Sequence, residues 1–433
     1  MKKYLVLLLG VMFVLGLAAT SFAIHAEIPS ETQAVVAKGK TQITIGGEIR
    51  ARGEYKEVDF DDNTPGNSSY DSRVRLSVDA KVTPNTQGFI QVEAGNGDTA
   101  DNYTWGVGNN GAKGIYNVGN AKRGQFNLLQ AWILYKGSGL LGVPAGVKVG
   151  HMPLALGNKL FFAHDKFGDD AIVFFVDPTK ELHIGLLTAK FREGSTNASD
   201  DADAYVGLFV YKGQGFNVSG DITYVDDRDV TNDNNIHFWN FGLRGDTKID
   251  PVTLRADVEL QSGKITNTPN KFRGYAILLG ADAKVSGAKV TAEFAYGSGD
   301  KPDTDKIEAF VTSLGADQHF TYIYEYRTQN ACGIQYGGLC NTWYIKLGAS
   351  GDITKEISAS LNAYLLRAAK TPSGVSKEIG FELDPKIVYK IDRNLSYWVE
   401  GGYLFAGDYW KGNNPNKSVD DAYAIRHGIM LSF

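Results

Sequence analysis

The chain of 433 residues carries 44 basic and 49 acidic side chains, a formal net charge of −5, with 50 glycines, 22 tyrosines, 22 phenylalanines and only four methionines. This modest acidic balance argues against a nucleic-acid partner, and after the first two dozen positions no apolar run reaches the ~18 residues that a membrane helix needs. Glycine and aromatics at these levels favour strands and tight turns over a helical enzyme.

In chain order, Lys2 and Lys3, the apolar stretch from Tyr4 to Ala19 and the small-residue exit Ser21-Phe22-Ala23 read as a cleaved secretory signal over residues 1–23, with Ala26 as the second choice of cleavage point. If an exported chain without a membrane helix enters a bilayer, it must do so as a closed barrel, because only helices and closed barrels satisfy every backbone polar group in lipid. Residues 24–40 are expected to form a short periplasmic lead-in, and residues 41–433 one continuous domain.

From Thr41 the residues alternate. Ile43, Ile45, Gly47, Ile49, Ala51, Gly53 and Tyr55 share one parity, and Glu48, Arg50, Arg52 and Glu54 the other. The next strand sets Val74, Leu76, Val78 and Val82 against Asp71, Arg73, Arg75 and Asp79. Charges on one face and aliphatics on the other suit a wall with lipid outside and water inside. Both strands exceed the roughly five or six residues usual in a soluble sandwich. Later members are Val252 to Leu260, with Arg255, Asp257 and Glu259 inward, and Leu395 to Phe405, backed by Ser396, Trp398 and Glu400. Parity is ambiguous in Phe126 to Tyr135 and in Ala171 to Val176.

Connections alternate between short turns, such as Thr83-Pro84-Asn85, Asp250-Pro251, Ser350-Gly351-Asp352 and Asp392-Arg393-Asn394, and long polar stretches near residues 56–69, 95–124, 154–170, 193–202, 226–235, 261–273, 297–341, 369–377 and 407–421. The link from Gly137 to Gly146 is longer but belongs with the turns. Short periplasmic turns and long extracellular loops account for this rhythm, and it predicts an all-β transmembrane antiparallel barrel of about 18 strands.

Two of the long loops stand out. The stretch 154–170 is apolar for an external loop; Phe161, Phe162 and Phe167 would narrow the lumen if it folds inward, or pack at the membrane rim if it does not. The largest, 297–341, holds Phe320 to Arg327 with aromatics at alternate positions, which reads as a hairpin above the membrane or an extra strand. It also holds the only cysteines, Cys332 and Cys340, expected to close a small disulfide in an exported chain. At the end, Tyr423, Ile425, Ile429, Leu431 and Phe433 share a face interrupted by His427, a pattern similar to the signal read by the outer-membrane insertion machinery.

No His-Glu-x-x-His, Gly-x-Ser-x-Gly or metal-spaced cluster occurs, and His151, His164 and His183 read as wall or loop residues. Neither an enzyme nor a cofactor nor a metal is expected. The informative constellation is basic. In a closed barrel the last strand pairs with the first, so Arg426 neighbours the strand of Arg50 and Arg52, which in turn pairs with that of Arg73 and Arg75. Guanidiniums stay charged and present forked donors to carboxylate or phosphate. Five on one side make an anion track, a wall salt-bridged to Glu48, Glu54, Asp71, Asp79 and Glu400, or both.

The runs Asp71-Ser72-Arg73-Val74-Arg75-Leu76, Leu129-Gln130-Ala131-Trp132-Ile133 and Val147-Lys148-Val149-Gly150-His151-Met152-Pro153-Leu154 resemble the alginate-export-like group of outer-membrane porins, and the chain is similar to the OmpJ-type porins of metal-reducing bacteria. His151 stands where that group often has arginine. The resemblance implies an 18-stranded monomeric barrel, embedded in outer-membrane lipid, whose arginine-lined lumen passes anionic solutes or polymers. The reading is therefore a passive outer-membrane channel for small hydrophilic, anionic solutes. Its alternatives are a barrel sheath for a surface electron-transfer or adhesion partner, and a polysaccharide export channel.

Overall fold

The computed structural model describes residues 34–38, 41–61, 63–95, 103–104, 125–140, 142–194, 199–228, 234–301, 304–314, 319–328 and 338–433. The expected leader, residues 1–23, and most of the stretch 95–124 lie outside the described residues. The first nine wall strands are β1 (Thr41–Glu57), β2 (Asn67–Thr83), β3 (Thr86–Gly95), β4 (Gln125–Leu140), β5 (Val143–Ala155), β6 (Phe162–Val176), β7 (Leu182–Arg192), β8 (Ala202–Lys212) and β9 (Phe216–Asp227). The second nine are β10 (Ile236–Ile249), β11 (Val252–Ile265), β12 (Tyr275–Val285), β13 (Ala288–Gly297), β14 (Thr342–Asp352), β15 (Ile357–Ala368), β16 (Glu378–Asp392), β17 (Leu395–Ala406) and β18 (Ala422–Ser432).

Each strand pairs antiparallel with the next, and β18 returns to β1 from Glu48↔Ser432 to Glu57↔Tyr423, closing an 18-stranded barrel. The seam is locked at its periplasmic end, where the Gly47 N–H donates to the Phe433 carbonyl at 2.7 Å and the Phe433 N–H donates back at 3.0 Å. Part of the expected lead-in is also paired, since Ala34–Lys38 runs antiparallel to the start of β1.

Side-chain burial is inverted relative to a water-soluble protein. Ile49, Leu76, Ile90, Leu243, Leu260 and Ile425 are exposed on the outside, while Glu93, Asn240, Asp257 and Glu259 are buried inside. Each such aliphatic gains about 1.5–3 kcal/mol from leaving water, so a continuous outer belt of them requires lipid, and the barrel is a multi-pass outer-membrane protein. His427, the polar break in the outward face of β18, is covered by its neighbours: the Tyr397 hydroxyl lies 3.2 Å from its Nδ1 and the edge of Tyr70 packs beside it.

The ambiguous parity in Phe126 to Tyr135 has a local cause. A bulge opposite Gln91 and Val92 leaves Leu129 unpaired, so Phe126 and Leu128 face lipid on one side of it and Ile133 and Tyr135 on the other. In β6 the inward residues are themselves apolar, because Ala171 and Val173 pack with Met152, Ala189 and Ala204.

The stretch 154–170 is not a long loop: β5 continues to Ala155 and β6 begins at Phe162, which leaves residues 156–161 as the connection. The turn read at Ser350-Gly351-Asp352 falls instead at residues 353–356, and the link from Gly137 to Gly146 tightens to residues 141–142. The described parts of the stretch 297–341 add no wall strand. They fold into the lumen, where Phe310, Ile323 and Tyr324 join Leu156, Leu160, Phe161, Phe162, Phe238, Tyr344 and Tyr364 in one buried apolar cluster. Backbone pairing ties them down, with Ser313–Leu314 parallel to Phe162–Ala163. The extracellular half of the barrel therefore has a hydrophobic core, and the open lumen lies beside and below it.

Gly150 of β5 has φ of +125°, and a Cβ there would stand 2.2 Å from the Ala131 carbonyl oxygen. Gly150→Ala is expected to lose about 1–3 kcal/mol of barrel stability, read as a lower urea midpoint for loss of the heat-modifiable band on gels. Gly88→Ala, at a site with nothing within 4 Å, should leave the midpoint unchanged.

Candidate functional site

The lumen holds a polar cavity of about 820 Å³. Eight basic side chains line it (Arg50, Arg52, Arg73, Arg75, Lys159, Lys166, Lys386 and Arg426), against four acidic ones (Glu48, Asp165, Asp384 and Glu400). The five arginines come together because the pleat turns every second residue of β1, β2 and β18 inward and closure makes these strands neighbours. Register puts Arg50 directly opposite Arg73 and Arg426 opposite Glu54.

Two guanidiniums facing each other repel, and the surrounding carboxylates offset this. Asp71 accepts from Arg52 Nε at 2.5 Å and lies 3.5 Å from Arg50 Nη2. Glu48 accepts from Arg73 at 2.8 and 2.5 Å. Arg426 makes two hydrogen bonds to Glu400, at 2.7 and 2.5 Å, and lies 3.7 Å from Glu54, while Lys386 approaches the other oxygen of Glu400 to 2.8 Å. Asp79 departs from the expected set: it accepts from Gln87 at 2.8 Å and is not among the cavity-lining residues. Its place is taken by Glu93 of β3, absent from the sequence reading, which is fully buried, accepts from Arg75 Nε at 2.5 Å and lies 3.9 Å from Arg73 Nε. Parity on β3 is the signal that would have found it, because Glu93 pairs in register with Arg75. Asp71 and Glu93 lie outside the cavity lining, so the guanidiniums they hold form the lumen surface.

Residues 319–328 form the ceiling of this cavity. The backbone N–H groups of Tyr322, Ile323 and Tyr324 point at the wall: Tyr322 donates to Asp384 Oδ2 at 3.1 Å, Ile323 to Glu382 Oε1 at 2.5 Å and Tyr324 to Glu382 Oε2 at 2.9 Å. A π-helical turn, Tyr324–Thr328, follows and carries Arg327 to Glu54 at 2.8 Å. The Arg327 guanidinium lies 3.8 Å from the centre of the Tyr322 ring, and that of Arg426 5.5 Å from the same ring, both within cation–π range. Burial pushes the Tyr322 and Tyr324 phenols well above their ordinary range, so both remain neutral.

The far wall is built differently. Arg244 of β10 is buried among Asp221, Asp257 and Glu259, at 3.4 Å from Asp257 and 2.5 Å from Glu259. The tip of the β5–β6 hairpin crosses the lumen to this cluster, where the N–H and Nδ2 of Asn158 donate to Asp257 Oδ2 at 3.1 and 3.0 Å. Gly157 lies so near Arg244 that a Cβ would stand 2.0 Å from its Nε. Phe161 and Phe162 are buried with this tip, stacked on Phe238 and Phe191. Phe167 is corrected: it sits in an irregularity of β6 over residues 165–168, is exposed and does not narrow the lumen, whereas Asp165 and Lys166 of the same segment line the cavity.

Folding also assembles a Ser-His-Asp relay that spacing could not reveal, with His164 Nδ1 2.8 Å from Asp169 and Nε2 3.0 Å from the Ser313 hydroxyl. The Ser313 N–H is already donated to the Phe161 carbonyl at 2.7 Å, so it does not serve as an oxyanion donor; the relay ties residues 313–314 to β6. His151 and His183 pair with Asp170 and Asp177 at 3.0 and 2.7 Å. Cys340 is buried just before β14, and Cys332 lies outside the described residues. Tyr423, Ile429, Leu431 and Phe433 border the outer face of the seam, with the Tyr423 hydroxyl donating to Glu57 at 3.1 Å.

No protein-family model matches the chain, and no curated protein matches it by sequence. Its fold is similar to those of solved outer-membrane porins. One is OpdL of Pseudomonas aeruginosa, at a TM-score of 0.56 and 9% identity over 90% of this chain and 98% of that one. OccK8 (OprE) of the same organism has a TM-score of 0.55 and 10% identity, over 90% and 98%. OccAB4 of Acinetobacter baumannii has a TM-score of 0.52 and 10% identity, over 90% and 98%. At such identity the likeness is one of fold.

Arg244→Met would leave Asp221, Asp257 and Glu259 without their shared cation. Breaking a buried ion cluster from one side costs about 3–5 kcal/mol, so its urea midpoint should fall clearly below that of Lys248→Met, an exposed residue near the periplasmic turn.

Proposed function

We propose that the protein is a passive outer-membrane channel for small hydrophilic anions, selected by the arginine stripe of β1, β2 and β18. The observation that carries this reading is the twofold excess of basic over acidic side chains lining the lumen cavity. An anion entering the cavity meets forked N–H donors already oriented by carboxylates, and exchanges hydration for these contacts without reorganising the wall. Because the guanidiniums are held by Asp71, Glu93, Glu48 and Glu400, no single one binds a passing anion with its full charge. Weak contacts at several successive sites allow both entry and exit. Transport runs down the gradient, with no reaction and no cofactor.

The inward residues 156–161 and 319–328 support small solutes over a polymer, since an exporter of long chains needs a continuous bore. The kinship with alginate-export-like and OmpJ-type porins is accordingly proposed as one of architecture and of arginine use, without polymer export.

In a planar bilayer under a salt gradient, the purified barrel should conduct steadily with a reversal potential of anion-selective sign. The variant with Arg50, Arg52, Arg73 and Arg75 all changed to Gln should conduct with that potential moved towards zero. Unchanged selectivity would leave the stripe a structural wall, and a folded barrel without conductance would favour the sheath reading.

A further inference from the structure

Glu382, Asp384 and Lys386 occupy successive inward positions on β16, yet they meet the lumen differently. Lys386 lines the cavity, Asp384 borders it but keeps its Oδ1 buried, and Glu382 is completely buried. Their cross-strand partners are uncharged, Tyr364 for Glu382 and Asn362 for Asp384. Among the described residues, no Arg or Lys forms an ion pair with either carboxylate; the three consecutive N–H groups of Tyr322, Ile323 and Tyr324 are their hydrogen-bond donors. Successive backbone N–H groups converging on an anion form a nest that stabilises its charge without a cation. Gly402 of β17 makes the room, since a Cβ there would stand 2.7 Å from Ile323 and 2.8 Å from Asp384.

We infer that residues 319–328 act as a charge mask: they cover two wall carboxylates that would otherwise face the permeating ion, so that the anion preference belongs to this segment as much as to the arginine stripe. The inference rests on the channel reading above. The mask acts at two points. The segment covers Glu382 and Asp384 alike, and Arg327 pairs with Glu54, beside Arg426. Lifting the segment uncovers negative charge on the wall at Glu382, Asp384 and Glu54 and widens the lumen, while the charges it takes with it, Arg327 and Glu325, cancel in formal count.

Width and charge are separable by experiment. In the full-length barrel, residues 319–328 are replaced by a Gly-Ser segment of equal length, in the wild-type background and in the Glu382→Gln/Asp384→Asn background. Unitary conductance and reversal potential are measured in potassium chloride for all four proteins. Replacement should raise conductance in both backgrounds. It should move the reversal potential markedly towards cation selectivity in the wild-type background, and much less where the carboxylates are already neutral. An unchanged reversal potential in the first background, or equal shifts in both, would overturn the mask. If the replaced barrels lack the heat-modifiable band of a folded protein, Glu382→Gln alone decides. Its amide sets a donor against one of the two N–H groups that Glu382 accepts from, so the segment should loosen, conductance should rise and the reversal potential should move part of the way towards cation selectivity as Asp384 is uncovered; wild-type conductance or an unchanged reversal potential would overturn the idea. A wild-type barrel that does not conduct would instead remove the channel reading itself.

Discussion

Everything in this molecule depends on the requirement that no backbone N–H or C=O be left without a partner inside lipid. A sheet meets that requirement only by closing, and closure here is the pairing of β18 with β1. Once the seam is fixed, so is the parity of every strand, because a slip by one residue would turn Arg50, Arg52 and Arg426 to the lipid and Ile49, Ala51 and Ile425 to the lumen. The charged lumen is therefore a consequence of the outer wall. The same ladder tolerates irregularity where the interior calls for it. The bulge at Leu129 and the irregularity over residues 165–168 re-aim side chains without opening an edge.

An interior reached in this way has too few apolar residues to pack itself, and the chain fills it in two ways. At the extracellular end, residues 156–161 and the long connection between β13 and β14 bring in Leu160, Phe161, Phe310 and Ile323, which give inward residues such as Tyr344 and Leu366 an apolar contact surface. Elsewhere, charge is set against charge. Buried ions are held at a net desolvation cost unless geometry and further hydrogen bonds compensate, and the networks meet that condition: Glu48, Asp71 and Glu400 each accept from two donors. The inward segments are positioned by these polar wall groups, through Asn158 on Asp257 and the Tyr322–Tyr324 amides on Asp384 and Glu382, so the packed core and the ionic wall stabilise each other.

The parts of this arrangement legible in the sequence are those with period two. β1 and β2 alternate without interruption and β18 with the single break at His427, so the barrel and the convergence of Arg50, Arg52, Arg73, Arg75 and Arg426 follow from parity and closure, and the strand number from the alternation of short and long connections. What was not legible has no period, or, at Phe320 to Arg327, alternates like a strand yet folds into a π-helical turn. Residues 156–161 and 319–328 are apolar loops, and apolarity alone does not distinguish a segment packed at the rim from one packed in the lumen. Contacts such as Asn158 with Asp257, or His164 with Ser313, join positions 99 and 149 residues apart, and nothing local marks either partner. Glu382 and Asp384 resemble ordinary inward carboxylates until the segment that covers them is placed. Parity is ambiguous where a bulge reverses it, at Leu129, and loop length is overestimated where a strand continues through polar residues, from His164 to Asp170.

The two walls of the lumen use the same residue types to different effect, and the difference lies in what each wall presents to the cavity. On β1 and β2 the arginines line the cavity, while Asp71 and the fully buried Glu93 lie outside its lining. On β9 to β11 neither sign is presented: Arg244, Asp221, Asp257 and Glu259 are all buried, and the tip of the β5–β6 hairpin closes over the cluster. Counting charges around the whole barrel would give near neutrality and conceal this asymmetry. Field strength at an ion depends on distance and on the intervening medium, so a guanidinium that lines the cavity outweighs a carboxylate outside its lining. The lumen thus acquires its positive character from the order in which charges are layered, and much less from their sum, which is how a chain of net acidic composition can present a basic interior.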